Sequence, residues 1–149
     1  MKNLVFLFFA GIISFSGCCD SVNDENHDIL LKIGDITEIK SGKTAYNAQY
    51  DLSLRVNSVN DSRCPIGLSC FWQGYVSVQL FLTTKSGNYD FSLSTLHVPT
   101  YLKVDTVIEG MKYRLTDVLP YPVFENEQLK RVKIYVGSHL MPDNQRNNH

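Results

Sequence analysis

The sequence predicts an all-β domain: an antiparallel β-sandwich or small barrel of about seven or eight strands behind an N-terminal apolar leader. Three observations predict it. Apolar and polar residues alternate with a period of two in several separate windows. Short segments bearing Gly and Asn join those windows. No convincing 3.6-residue repeat is sustained over about ten residues. A period of two sends successive side chains to opposite faces of a strand, so that one face can be buried.

In chain order, residues 1–17 are an address rather than part of the fold. Lys2 supplies the positive start, and Leu4 to Phe15 is an apolar run broken only by Gly11 and Ser14. It is too short for a membrane-spanning helix, which needs about 20 apolar residues. It ends in Phe15-Ser16-Gly17-Cys18, which resembles a bacterial lipoprotein cleavage box with Phe15 where leucine is usual. That resemblance implies cleavage before Cys18 and lipidation of its thiol, so the membrane is the first expected partner. Cys19 carries no argument for a role. Residues 18–28 are polar and rich in Asp and Asn, and are expected to be a flexible tether. The acidic run after Cys18 resembles the surface-export signals of Bacteroidetes lipoproteins. The expected location is therefore the cell envelope, at the outer membrane, on its periplasmic or surface face. Asp20-Ser21-Val22 and Asp105-Thr106-Val107 resemble the O-glycosylation acceptors of that phylum, although triplets this short arise readily by chance.

Residues 29–140 are expected to form one β domain. Ile29 to Ile33 is a short strand candidate. From Tyr46 to Val56 every even position is apolar or aromatic and every odd position is polar, which predicts one long strand. Val76 to Leu82, Tyr89 to Leu93, Leu102 to Ile108 and Val132 to Val136 repeat the pattern, and Tyr113 to Leu119 is a less regular candidate. Lys85-Ser86-Gly87-Asn88 and Glu109-Gly110 read as hairpin turns. Tyr75, Phe81 and Tyr101 pose one question: partial cover by a loop, or an aromatic patch for a ligand such as glycan. Residues 141–149 are polar and expected to fray.

Cys64 and Cys70 enclose Pro65-Ile66-Gly67-Leu68-Ser69. Export places them in an oxidising compartment, where two nearby thiols are expected to form a structural disulfide. The separation is not that of a two-residue redox pair. Trp72, the single tryptophan of the chain, is expected to pack on the bridge or cap the core. Arg63 and Asp61 are expected to pair or to bond loop carbonyls, with presentation of Arg63 to a partner as the second reading. Pro120-Tyr121-Pro122 reads as a stiff strand exit or an exposed contact surface.

Asp61-Ser62-Arg63-Cys64-Pro65 followed by Cys70-Phe71-Trp72-Gln73-Gly74 resembles a DSRCP-x4-C-x-W-x-G signature found in small bacterial lipoproteins and secreted proteins of uncharacterised function. The resemblance covers roughly residues 30 to 136, including the segment from Tyr113 to Pro122. It implies a β fold and no particular activity.

The chain has 149 residues, 44% of them apolar, and a formal net charge of −1. That charge argues against nucleic acid as a partner. No nucleophile elbow, phosphate-cradling loop or zinc-protease motif appears. Glu125 and Glu127 read as a solvated loop, and His97 and His139 lie far apart in sequence. No catalytic residue, metal ligand or cofactor is therefore assigned. The expectation is a non-catalytic, tethered binding or accessory module for an envelope protein or glycan, with Arg63, Trp72 and Tyr121 as its candidate binding loop. The alternative is a protease- or lysozyme-inhibitor-like protein that presents the Cys64–Cys70 loop.

Overall fold

A computed structural model describes residues 29–97, 103–124 and 128–139. The expected signal peptide, Cys18, Cys19 and the expected tether lie outside the described residues, as do Tyr101, Leu102, Glu125, Glu127 and residues 141–149.

The fold is all-β, as the alternation requires. Nine strands are described: β1 Ile29–Leu30, β2 Asp35–Lys40, β3 Thr44–Asn47, β4 Leu52–Asp61, β5 Val76–Thr83, β6 Asn88–Ser94, β7 Asp105–Ile108, β8 Met111–Leu119 and β9 Arg131–Ser138. They form two packed sheets, one in the order β1-β3-β4-β5-β6 and the other β2-β9-β8-β7. This is a sandwich and not a closed barrel. Every strand pair is antiparallel except β1 with β3. The inward residues of both sheets make one core, including Leu54, Val56, Val78, Leu80, Ile134 and Val136. Burying each aliphatic side chain of this kind contributes about 1.5–3 kcal/mol before conformational entropy is counted.

The expected hairpins form. Thr84 N–H donates to Gly87 O, closing the β5–β6 turn. Glu109 and Gly110 both adopt positive φ between β7 and β8, the backbone that suits a two-residue hairpin. The long strand expected from Tyr46 to Val56 does not form. The chain reverses through residues 48–51, and Asn47 lies opposite Leu52. Asn47 makes the reversal, with its Oδ1 accepting the Tyr50 N–H and its Nδ2 donating to Leu31 O. Asp51 takes a φ of 52°. Tyr46 and Tyr50 are consequently exposed. Strand β2 was not anticipated, because only Thr37 and Ile39 of its side chains are buried. The strand expected from Leu102 is described only from Asp105, and the Asp105-Thr106-Val107 triplet lies in β7 rather than in a loop. Tyr75 and Phe81 are half-buried.

Two β-bulges change which residues face inward. In β4 the register shifts between Val56 and Ser58, so Leu52, Leu54 and Val56 face the core before it. Val59 and Asp61 take the inward positions after it. In β8 the shift lies between Leu115 and Asp117, and it turns Val118 inward. Each extra residue inverts the alternation downstream. Both bulges precede the same end of the sandwich, where β4 meets β5 and β8 meets β9.

Candidate functional site

That end is built around Asp61. The bulge places its carboxylate indoors, and its side chain is only 6% exposed. Arg63 returns to it in a forked pair: Nε donates to Oδ1 at 2.8 Å and Nη2 to Oδ2 at 2.7 Å. The same Nη2 donates to Val118 O, on the opposite sheet. Lys130 Nζ donates to Asp61 Oδ2 and to Pro120 O. The Arg63 guanidinium lies over the Tyr121 ring, 4.2 Å from its centroid, a favourable cation–π contact. Asp61 therefore ties the β4–β5 loop to the β8–β9 connection. Burial alone would push its carboxyl up, but hydrogen bonds from Arg63 and Lys130 outweigh that and hold it below its ordinary value. Arg63 is raised by its hydrogen bonds to Asp61, against desolvation. Its side chain is 9% exposed. It braces the loop from inside, which matches the ion-pair expectation and leaves little of it for a partner to touch.

The loop beyond Arg63 is braced three more times. Ser62 N–H and Oγ both donate to Tyr75 O, and Cys64 N–H donates to Gln73 O. Cys64 and Cys70 are disulfide-bonded. Gly74 has a φ of +73°, and a Cβ there would lie 1.9 Å from Ser62 O. Only glycine allows the two arms this close. Inside the ring, Leu68 N–H donates to Pro65 O and Ile66 N–H donates to Pro122 O. Ile66 and Val123 form an isolated parallel bridge. Pro65 to Ser69 is thus folded back and stitched to the β8–β9 connection, and is not an extended segment held out from the body. The Leu119–Pro120 peptide bond, at the start of that connection, is cis.

Trp72 does not cap the core: it is 59% exposed, and Phe71 beside it is fully exposed. The arms close below these two residues, so the rings stand at the loop's surface. Leu68, Ile66, Tyr121, Val123 and Phe124 are exposed at the same end. No Asp, Glu, Lys or Arg occurs from Cys64 to Gly74, nor from Tyr121 to Phe124. The Cys64–Gly74 loop and the Tyr121–Phe124 segment therefore present uncharged, aromatic-rich surface beside a buried ion-pair cluster. Exposed apolar side chains gathered at one end of a domain mark interaction sites when they form a patch. Of the three residues expected in a binding loop, Trp72 and Tyr121 are exposed, and Arg63 is buried against the Tyr121 ring. Phe71 was not singled out from sequence. Its place next to Trp72, with no apolar partner at i±2 in a strand, was the available signal.

Among the described residues no group of three or more His, Cys, Asp or Glu side chains could hold a metal ion. No family model, curated protein or solved structure matches this chain.

The disulfide closes a short ring in the unfolded chain. Replacing Cys64 and Cys70 together by Ser is expected to cost about 2–3 kcal/mol, read by urea unfolding. Because the two arms are also joined by backbone bonds, the variant should fold. Alkylation of the unreduced protein should leave both thiols unmodified, and two labelled thiols would contradict the bridge.

Proposed function

We propose that the protein is a non-catalytic cell-envelope lipoprotein, held to a membrane through Cys18. Its β-sandwich is a binding module that meets an envelope component with the Phe71–Trp72 end. One observation carries this reading: four separate devices brace a loop whose two largest side chains are left in water. The ion pair, the disulfide, the Gly74 close approach and the Ile66–Val123 bridge all fix the backbone under rings that contribute little to the core. A pre-fixed loop loses little conformational entropy when it binds. Exposed Trp and Tyr are also the side chains that most often dominate binding energy. Arg63 and Asp61 position the loop and need not touch the partner.

The test is capture from the parent envelope extract on the oxidised, immobilised protein, beside the variants Phe71→Ser and Trp72→Ser. Both side chains are exposed, so circular dichroism and melting temperature should match the wild type. A component retained by the wild type and lost from both variants is expected. Equal retention by all three proteins would remove this end of the sandwich from the interaction.

A further inference from the structure

The direction in which the chain joins the sandwich says what faces the aromatic end. Strand β1 is parallel to β3, with Ile29 opposite Ala45 and Leu30 opposite Tyr46. Strand β3 runs antiparallel to β4, with Ala45 opposite Leu54 and Asn47 opposite Leu52. Strand β1 therefore points away from Asp61, with its Ile29 end turned toward the side of the cysteine loop. From the level of Ile29 to that of Asp61 is seven residues along β4, or about 23 Å at strand rise. Between Cys18 and Ile29 lie eleven residue steps. A flexible chain of that length has a root-mean-square span of about 17–20 Å. Its limit is about 36–40 Å. An anchor at Cys18 thus reaches the level of Asp61 with modest extension and has length to spare for the loop beyond it.

From this geometry we infer that the Phe71–Trp72 loop docks on the lipid surface itself, as a second contact that orients the tethered domain. The inference rests on the proposed anchor at Cys18. The chemistry of the loop fits an acyl–headgroup boundary. Phe71, Leu68 and Ile66 supply apolar surface, and Trp72 supplies an amphipathic ring of the kind enriched at that depth. The uncharged loop places no ion in the bilayer and needs no anionic lipid. The anchor makes the contact intramolecular, so even a weak loop–lipid affinity is populated at the high local concentration a short tether gives.

Trp72 is the only tryptophan, so the intrinsic fluorescence of the whole protein reports on this loop. The lipidated protein is purified from membranes and reconstituted into phosphatidylcholine vesicles whose acyl chains carry bromine at defined depths. Flotation then reads anchoring, and Trp72 emission reads docking. The expected result is co-flotation, emission displaced to shorter wavelength relative to the protein in detergent-free buffer after removal of the lipid, and quenching strongest from shallow bromine positions. Quenching should persist when salt is raised severalfold. Phe71→Asp, and independently Phe124→Asp, should still float but lose most of the quenching. Protein that floats with unquenched, solvent-like Trp72 emission overturns docking while leaving the anchor intact. If that emission then shifts on adding envelope proteins, the surface belongs to a protein partner instead. Protein that does not float overturns the anchor, and docking with it.

Discussion

Replacing Asp61 by Asn is expected to be the most damaging single change at the aromatic end, costing about 3–5 kcal/mol in urea unfolding. Among the described residues, the Asp61 carboxylate is the acid to which both Arg63 and Lys130 are bonded. The Lys130 side chain is only 17% exposed and that of Arg63 still less. Neutralising Asp61 leaves two cations at a poorly hydrated site, and the cost is that of the stranded charges more than of the lost contact. A domain stability of about 5–15 kcal/mol makes this a large fraction of the whole. The triple variant Asp61→Leu, Arg63→Met, Lys130→Met should lose less than Asp61→Asn alone, because it strands no charge. An Asp61→Asn loss below that of the triple variant would show that the cluster is not held by charge.

The same group gives the pH dependence its sign. The folded Asp61 carboxyl lies below its ordinary value of 3.8. A lowered folded value means that the unfolded chain takes up the proton first as pH falls. The cluster's contribution is therefore complete at neutral pH and is lost as pH drops below about 3.8 toward the folded value. Acid titration of the wild type should show this loss, and Asp61→Asn should lack it. An identical acid limb in both proteins would assign acid sensitivity elsewhere.

Gly74→Ala is the second large effect. The new Cβ would lie 1.9 Å from Ser62 O and 2.8 Å from Arg63 Cα, both backbone atoms with no rotamer to yield. The arms must part, breaking the Ser62–Tyr75 and Cys64–Gln73 bonds and disturbing the Asp61–Arg63 pair, whose two residues flank Ser62. A loss of about 3 kcal/mol or more is expected, a drop in melting temperature of roughly 10 °C. Gly67 is the internal control. Its φ is +87° but nothing lies within 4 Å of its Cβ direction. Gly67→Ala should cost only the backbone strain, about 1–2 kcal/mol. Equal losses at the two positions would mean that φ, and not the close approach, makes Gly74 necessary.

These effects locate the boundary between sequence and tertiary structure. Alternation in β5, β6 and β9 was readable because each strand buries one face without interruption, and period two is then a direct record of burial. Lys85 to Asn88 and Glu109-Gly110 were readable because hairpin turns are local chemistry. The same alternation misled from Tyr46 to Val56, where it runs on through a reversal: Asn47 and Asp51 carry the turn, yet they fall on polar positions of the pattern. The bulge in β4 left a faint mark, the three-residue step from Val56 to Val59, but nothing local says whether such a step is a bulge or an exposed valine.

The disulfide was legible from two cysteines, an expected export signal and a short loop. So was the pairing of Asp61 with Arg63, two residues apart. What only the tertiary structure decided is where these residues point. Val118 of β8 and Pro120, Tyr121 and Lys130 of the β8–β9 connection come to the Asp61–Arg63 pair from far along the chain, 55 residues from Arg63 to Val118 and 69 from Asp61 to Lys130. No local preference encodes contacts of that separation; they exist because two bulges invert the inward face of β4 and β8 at one end of the sandwich. Trp72 shows the limit most plainly. Its apolar mass argued for burial, since an isolated sequence offers no volume to compare it with. The two arms of the folded loop close at Gly74, and the ring is left outside.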